Sequence, residues 1–380
     1  MVNYNNIKKI LIVFGTRPEA IKMAPLIKEF KKHSFDFDVK VCVTAQHREM
    51  LDQVLLFFEI KADYDLDLMK PNQNLYDLTS SLITNLKPIF EEFKPDFTFV
   101  HGDTTTSFAA SLAAFYAGSK VCHIEAGLRT NNKYSPFPEE INRQLTSRIA
   151  DFHFAPTNQS KLNLLSENVV PESIFITGNT VIDALLQSLD KVRSNPSVLI
   201  KNLASKLSGK EMILVTGHRR ENHGEGFLRI CHSLKVIAET LADHWIVYPV
   251  HLNPNVQKPV YGLLGHIKNI LLIDPLEYQD FIWLMDRSKL ILTDSGGVQE
   301  EAPSIGKPVL VMRDNTERPE AVEAGTVVLV GTNSELIVKK TLELIDNKDL
   351  ILKMSELHNP YGDGNACERI VNIFLNKDFN

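Results

Sequence analysis

Residues 8–22, which read KKILIVFGTRPEAIK, decide the fold. The apolar run from Ile10 to Phe14 is typical of a strand buried on both faces, and Gly15 and Pro18 lead from it into a stretch of helical period. A lysine pair before an apolar run also begins a secretory signal, but this run is too short for one. The segment therefore predicts the first strand and helix of a parallel α/β domain.

The same pattern of a short apolar run, a loop and a helical stretch recurs along the chain. The runs form two series, at 9–14, 39–44, 97–101 and 120–124, and then at 212–216, 245–250, 270–273, 290–294, 308–312 and 326–330. A chain of 380 residues is longer than one hydrophobic core usually serves. We therefore expect two Rossmann-like, doubly wound domains, with the polar helical stretch 180–207 as the hinge.

Composition excludes several classes of function. The formal net charge of -6, from 41 basic and 47 acidic residues, gives no footprint for nucleic acid or an anionic membrane. No run approaches the ~20 apolar residues of a membrane span. The four cysteines, Cys42, Cys122, Cys231 and Cys367, are too far apart for a disulfide framework or a zinc cluster. They indicate reduced thiols in a cytoplasmic protein.

Acidic side chains follow the strands of the first half, where ligands of such sheets bind. Asp103 and Glu125 come after adjacent strands, so their carboxylates are expected to meet and to raise a pKa. Glu139 lies in a proline-stiffened loop. Each acid taken singly is better explained as a helix cap or loop hydrogen bond, but three on one cleft rim favour acid–base chemistry. His101 and His123 are interpreted as core histidines.

Residues 290–301 carry the strongest local motif, a buried strand followed by Asp-Ser-Gly-Gly and a helix. Glycines and a helix N-terminus suit a phosphate, although Ser295 alone is also explained as a plain N-cap. Glu301 is positioned to hold ribose hydroxyls or to lie on a solvated helix face. The chain has neither a G-x-G-x-x-G sequence after a strand nor a P-loop, which argues against dinucleotide oxidoreductases and P-loop phosphotransferases.

A cationic cluster, His218, Arg219 and Arg220, follows the first strand of the second half. Such a cluster suits a diphosphate leaving group, whose negative charge grows as its bond to carbon breaks. The alternative for the two arginines is surface pairing with neighbouring glutamates. His218 and His223 have no third ligand nearby in the sequence, so no metal site is predicted.

Seven ordered motifs together resemble the non-hydrolysing bacterial UDP-N-acetylglucosamine 2-epimerases over essentially the whole chain: 15–22, 44–48, 101–105, 123–130, 136–140, 217–222 and 294–301. The resemblance implies a GT-B-like architecture of two Rossmann-like domains that face a central cleft. Residues 1–178 and 365–380 would form the domain that carries the carboxylates, and 179–364 the UDP-binding domain. The last helix, near 367–374, would cross back onto the first domain.

The resemblance also implies a reaction, the reversible epimerisation at C2 of UDP-N-acetylglucosamine (UDP-GlcNAc) to UDP-N-acetylmannosamine (UDP-ManNAc). UDP would be eliminated to give 2-acetamidoglucal and then added back, with no cofactor and no metal, in a cytoplasmic homodimer that feeds surface polysaccharide synthesis. Family residues carry over as catalytic (Asp103, Glu125, Glu139, His218) and as substrate-binding (Arg17, Lys22, His251, Phe281, Ser295, Gly296, Glu301, Arg318).

A regulatory site is implied as well, in which a second UDP-GlcNAc activates the enzyme. The residues available for it are Gln46, Gln73 and Arg219, with Glu139 and His251 of the substrate site beside them. Glu49 and Asn72 stand where some relatives carry a glutamine and an arginine, so we expect activation to need a higher concentration.

Three alternatives share part of this pattern. A glycosyltransferase of the same fold would use the same uridine site, although fold alone does not separate the two activities. A hydrolysing epimerase would release UDP and free N-acetylmannosamine. A non-catalytic nucleotide-sugar sensor would have no use for the acidic set.

Overall fold

The computed structural model describes residues 7–44, 48–68 and 73–377, without the side chains of residues 48 and 49. The chain divides into two compact units, unit 1 (Met1–Ala184 with Tyr361–Asn380) and unit 2 (Leu185–Pro360). These boundaries lie within a few residues of the expected ones at 178 and 364. The first of them falls inside a helix, Thr180–Ser194, that belongs to both units.

Unit 1 contains a parallel sheet of seven strands within the described residues, in the order β3-β2-β1-β4-β5-β6-β7. Its middle strands are buried along most of their length, as their apolar runs predict. The strands are β1 (Lys8–Phe14), β2 (Phe37–Val43), β3 (Tyr64–Asp65), β4 (Phe97–His101), β5 (Lys120–Ile124), β6 (Phe152–Ala155) and β7 (Ile174–Ile176).

Helices connect these strands and cover the sheet of unit 1. They are α1 (Arg17–Lys32), α2 (Arg48–Phe57), α3 (Leu75–Phe93), α4 (Thr105–Tyr116), α5 (Glu139–Ile149), α6 (Asn158–Ser166), α7 (Thr180–Ser194) and the C-terminal helix, α16 (Ala366–Asn376). Phe374 of α16 packs against Phe30, Phe97 and Phe99, with ring centroids 5.0–6.0 Å apart. The C-terminal helix is thus part of the aromatic core of unit 1.

Unit 2 repeats the same winding on six parallel strands within the described residues, in the order β10-β9-β8-β11-β12-β13. Its strands are β8 (Glu211–Thr216), β9 (His244–Pro249), β10 (Ile270–Ile273), β11 (Leu290–Thr293), β12 (Val309–Val311) and β13 (Val327–Leu329). Its helices are α8 (Val198–Lys206), α9 (Glu225–Thr240), α10 (Pro254–Leu264), α11 (Tyr278–Arg287), α12 (Gly296–Ser304), α13 (Pro319–Glu323), α14 (Ser334–Asp346) and α15 (Lys348–Ser355).

Both sheets reverse their strand order at one point, between β1 and β4 in unit 1 and between β8 and β11 in unit 2. Ligands of open parallel sheets bind outside the carboxyl ends of the strands at such a point. The predicted fold class, two doubly wound parallel α/β sheets, is confirmed. The expected hinge stretch is two helices, α7 and α8, separated by Asn195, Pro196 and Ser197. Across the described residues, no helix combines the length and the apolar character needed to cross a membrane.

Candidate active site

Glu19 ties together the two loops at the switch point of unit 1. Its Oε2 accepts hydrogen bonds from the backbone N–H groups of Gly15 (3.1 Å) and Thr16 (2.7 Å), which forms a capping box at the start of α1. Its Oε1 accepts from the hydroxyls of Thr104 (2.7 Å) and Ser107 (3.1 Å). The end of β1 is thereby fixed to the end of β4, which sets the floor of the site.

A pocket of about 590 Å³ opens beside these loops. The three acids predicted from the sequence, Asp103, Glu125 and Glu139, all line it, together with Lys22. The other lining residues are Thr16, Pro18, Glu19, Leu75, Leu78, His101, Gly102, Thr104, Thr105, Pro138 and Asn142. Sequence reasoning placed the acids on one rim, and the structure brings them into one pocket.

Glu125 is a buried carboxylate that stays ionised. Its Oε2 accepts from Lys22 Nζ (2.5 Å) and from Asn179 Nδ2 (2.7 Å), and it lies 3.8 Å from His101 Nε2. Burial favours the neutral acid, but the charge of Lys22 and these two hydrogen bonds hold the pKa of Glu125 well below its usual range. The residue has a left-handed backbone, with φ of 61°, and such strain is typical of functional sites.

Asp103 pairs with an arginine that the sequence analysis did not single out. Arg143 Nη2 lies 2.6 Å from Asp103 Oδ2, and Asn142 Nδ2 donates to the Asp103 carbonyl (3.0 Å). Burial raises the pKa of Asp103 to about 6; the charge of Arg143 opposes this rise and that of Glu125 adds to it. The expected effect of a neighbouring carboxylate is present, but burial is the larger cause. Asp103 therefore titrates near neutral pH, as a general acid or base should.

Glu139 is the first residue of α5, where the helix dipole stabilises a negative charge. Within the described residues its Oε2 is buried and accepts no hydrogen bond. Leaving a buried acceptor unsatisfied costs about 1–3 kcal/mol, so a bound molecule that donates a hydrogen bond to this oxygen would be stabilised. Its neighbour Glu140 differs, because it is fully buried and accepts from Thr130, Asn131 and Gln144 at 2.9–3.1 Å. Glu140 is therefore a structural residue.

The strand histidines are core residues, as the sequence predicted. Burial lowers the pKa of His101 to about 4 and that of His123 to about 3, so both are neutral at pH 7. His123 Nε2 lies 2.7 Å from the carbonyl of Gly102, which fixes the loop that carries Asp103.

The remaining predicted residues of unit 1 fall into two groups. Arg17 begins α1 at the carboxyl end of β1 and is half-buried, and Lys22 lies five residues further along the helix. Of the regulatory set, Gln73 is half-buried just before α3, whereas Gln46 lies outside the described residues, as does Asn72.

Asp294 organises the corresponding loop of unit 2. Its buried carboxylate accepts from the backbone N–H of His218 (2.9 Å), the backbone N–H of Arg219 (2.9 Å) and Asn222 Nδ2 (3.2 Å). The end of β11 thus shapes the loop after β8, which carries the predicted cations.

His218 lies beside this carboxylate, and its side chain is partly exposed. Its Nδ1 lies 3.4 Å from Asp294 Oδ1, and its ring stacks on His251 with centroids 5.6 Å apart. Burial lowers the pKa of His218, and Asp294 acts in the opposite direction. Arg219 follows with a buried Nε that has no partner within the described residues. The alternative for the two arginines was surface pairing with neighbouring glutamates. One of these glutamates, Glu221, pairs instead with Arg313 at 2.6 Å.

The start of α12 presents backbone N–H groups and a cation. Ser295 is the N-cap residue, but its side chain makes no capping hydrogen bond, so the plain-cap interpretation does not account for its hydroxyl. A Cβ added at Gly296 would lie 2.7 Å from Arg318 Nη1, so only glycine lets the guanidinium approach the helix end. Arg318 is oriented by Glu300, which accepts from its Nε at 2.7 Å. Together these groups have the chemistry that suits an anion.

Glu301 lies beside this helix end and is only 8 % exposed, so the solvated-face interpretation is wrong. Tyr278 donates its hydroxyl to Glu301 Oε1 (3.3 Å) from the first turn of α11. Phe281, on the same helix, is half-buried. Among the described residues, no group of three or more His, Cys, Asp or Glu side chains could hold a metal ion.

Sequence reasoning missed two side chains in the candidate region of unit 1, Asn179 and Arg143. In that of unit 2 it missed Glu300 and the role of Asp294 in holding the His218 loop. Each acts on a residue far along the chain, such as Glu125 for Asn179, 54 positions away. The sequence signal for Asp294 was its place directly after a buried strand, the same signal that identified Asp103.

Comparison with known proteins identifies the family. Residues 28–375 match the family described as UDP-N-acetylglucosamine 2-epimerase. The UDP-N-acetylglucosamine 2-epimerase of Escherichia coli (strain K12) is 60% identical over 371 residues, which are 97% of this chain and 98% of that protein.

Solved structures agree with this assignment. The crystal structure of the Neisseria meningitidis UDP-GlcNAc 2-epimerase bound to UDP-GlcNAc matches with a TM-score of 0.88 and 55% identity, over 97% of this chain and 100% of the other. The Methanocaldococcus jannaschii UDP-GlcNAc 2-epimerase in complex with UDP-GlcNAc and UDP matches with a TM-score of 0.80 and 34% identity, over the same shares of the two chains. The chain therefore belongs to the UDP-N-acetylglucosamine 2-epimerase family that its motifs resemble.

Proposed function

We propose that this enzyme interconverts UDP-GlcNAc and UDP-ManNAc without hydrolysing either. The observation that carries the proposal is the convergence of Asp103, Glu125 and Glu139 on one pocket at the switch point of unit 1. A reversible inversion at carbon needs a proton acceptor and a proton donor in different positions, and several carboxylates with different environments supply both.

The chemistry explains why cations must accompany the carboxylates. The C2 hydrogen of the sugar is not next to a carbonyl, so a carboxylate cannot remove it directly. When the bond from C1 to the diphosphate oxygen breaks, the electron pair leaves with UDP and the oxocarbenium ion makes the C2 proton acidic. Loss of that proton gives 2-acetamidoglucal. Protonation of C2 from the other face and return of the UDP oxygen to C1 complete the epimerisation.

We assign the nucleotide to unit 2 and the sugar carbons to unit 1. The anion site of Ser295, Gly296 and Arg318 suits a phosphate, and the buried carboxylate of Glu301 suits a ribose hydroxyl pair. Phe281 offers an aromatic face for uracil. The stacked pair of His218 and His251 suits the charge that grows on the leaving diphosphate, as does Arg17 at the start of α1.

Proton NMR of the purified protein with UDP-GlcNAc in deuterated water, with no added cofactor, tests this function. We expect the anomeric signal of UDP-ManNAc to appear and deuterium to enter C2 of both epimers, because the proton exchanges while the sugar is a glycal. Release of free N-acetylmannosamine with stoichiometric UDP would indicate a hydrolase instead. Retention of the original C2 hydrogen through turnover would rule out the glycal route.

The pH dependence of kcat/KM is expected to report Asp103. Since burial raises the pKa of Asp103 to about 6 and a base must be ionised, kcat/KM should rise with pH through an inflection near 6. The equilibrium constant of an isomerisation does not depend on pH, so the profiles of the two directions should be parallel. The Asp103→Asn enzyme should have low activity and no such inflection. An unchanged inflection in that variant would assign it to another group.

The homodimer and the cytoplasmic location implied by the family resemblance stay predictions, and the mass in solution tests the first of them. The same holds for activation by a second UDP-GlcNAc. Within its proposed site, Arg219 offers a buried Nε without a partner among the described residues, which is consistent with a ligand contact.

A further inference from the structure

Asn179 occupies the place where the chain leaves the sheet of unit 1. It lies between β7 and α7, is 2 % exposed, and donates its backbone N–H to the carbonyl of Tyr361 (2.7 Å), where the chain returns to unit 1. This close approach of the two chain segments requires a glycine in each of them. Gly178 and Gly362 have positive φ angles of 85° and 133°, and a Cβ on Gly178 would lie 3.3 Å from the Cα of Gly362.

The side-chain amide of Asn179 joins this crossing to the active site. Its Oδ1 accepts from the backbone N–H of Val181 (3.2 Å) at the start of α7, and its Nδ2 donates to Glu125 Oε2 (2.7 Å). Chemistry fixes this orientation, because a flipped amide would place its oxygen against the carboxylate and its NH₂ against an N–H donor. Asn179 is thus both a helix cap and a ligand of Glu125.

The contact determines which oxygen of Glu125 can serve the reaction. Lys22 and Asn179 both donate to Oε2, whereas Oε1 lies beside Gly102 in the pocket, 3.6 Å from the place of a glycine Cβ. The titratable groups that face Glu125 are Lys22 from α1, His101 and Asp103 from the end of β4, and Glu139 from the start of α5. Lys22 supplies the charge that keeps Glu125 ionised, and Asn179 supplies a second, neutral donor at a fixed angle.

We propose that Asn179 is a positioning residue for Glu125, which holds Oε2 so that Oε1 faces the substrate. The inference rests on the proposed epimerase function and adds a residue to it. Because Glu125 has a left-handed backbone, its side chain starts from a strained position, and two donors on one oxygen fix it better than one. The segment where the chain leaves unit 1 thereby supplies a residue that orients a catalytic carboxylate.

Two substitutions separate this role from helix capping. Asn179→Ser keeps an oxygen for Val181 but is too short to reach Glu125, and we expect kcat to fall by about 10-fold, with KM for UDP-GlcNAc within about 3-fold of wild type. Asn179→Asp also keeps the capping oxygen, but it places a second carboxylate beside Glu125. Two carboxylates in one site share a proton, so kcat should fall by about 10²-fold at pH 7 and recover as the pH rises.

Asn333 offers the matched control, because its Oδ1 caps α14 by accepting from Leu336 N (3.0 Å) and it is exposed. Asn333→Ser and Asn333→Asp should keep the wild-type kcat and pH profile. Wild-type activity together with an unshifted profile in Asn179→Asp, or equal effects in the two asparagine series, would overturn the inference. A wild-type enzyme that makes no UDP-ManNAc would overturn the proposed function and this inference with it, so the two failures are distinguishable.

Discussion

Glu125→Gln is expected to lower kcat by about 10²-fold or more and to leave the affinity for UDP within about 3-fold of wild type. The amide oxygen can replace Oε2 and accept from Lys22 and Asn179, so the side chain should keep its orientation. What remains at the position of Oε1 is an NH₂ group, which cannot take a proton. Because UDP is assigned to unit 2, its binding should not depend on this change.

Kinetics by NMR and UDP titration by calorimetry measure the two effects separately. Glu211→Gln is a matched control, since Glu211 also pairs with a lysine, Lys289, at 2.5 Å. Glu211 begins β8 and Lys289 directly precedes β11, so the pair lies at the opposite end of these strands from His218 and Asp294. That variant should keep kcat. A Glu125→Gln enzyme with normal turnover, or one that has lost UDP binding, would contradict the assignment of Glu125 to proton transfer.

The position of Glu125 illustrates what the sequence can predict. A buried apolar run identifies a strand of a parallel sheet, and the residues after it must lie at the edge where ligands bind. This rule found Asp103, Glu125, His218 and the start of α12 without any knowledge of side-chain contacts. The strands β3, β6 and β7, which have two, four and three residues, were missed because no sustained apolar run marks them. The strands β12 and β13 have only three residues each but lie inside the longer apolar runs 308–312 and 326–330, and were predicted.

Side-chain partners are harder to predict than strand ends. Arg143 pairs with Asp103 because α5 runs back past the end of β4, and Asn179 reaches Glu125 because a chain crossing lies beside β5. Such contacts depend on loop paths and helix orientation, which have no local periodicity. Glu301 shows the same limit, because the sequence left open whether it binds a ligand or lies on a solvated helix face, and only the contact with Tyr278 shows that it is covered.

Asp294→Asn should have the largest effect on the nucleotide site proposed for unit 2. The carboxylate accepts from three donors, the N–H groups of His218 and Arg219 and the side chain of Asn222. An amide offers one acceptor, so its NH₂ group would face a donor in a buried place. We expect Kd for UDP to rise by about 10-fold or more, because the loop that carries the cations loses its anchor.

Turnover should fall further than affinity does, by about 10²-fold, for an electrostatic reason. Burial lowers the pKa of His218, and Asp294 is the group that opposes this. Without that negative charge the pKa of His218 falls further, so less of its positive charge is present when the diphosphate leaves. The loss should therefore appear in kcat at saturating substrate and should be smaller at lower pH, where His218 is protonated more fully.

Loss of a buried acceptor also destabilises the fold, by about 1–3 kcal/mol, and Asp183→Asn controls for this. Asp183 is 2 % exposed and accepts from the backbone N–H groups of Ala366 (3.2 Å) and Cys367 (2.8 Å) at the start of α16. Urea titration should show a lower free energy of unfolding than wild type for both variants. Only Asp294→Asn should bind UDP more weakly than wild type. Equal losses of UDP affinity in the two variants would mean that Asp294 acts through stability alone.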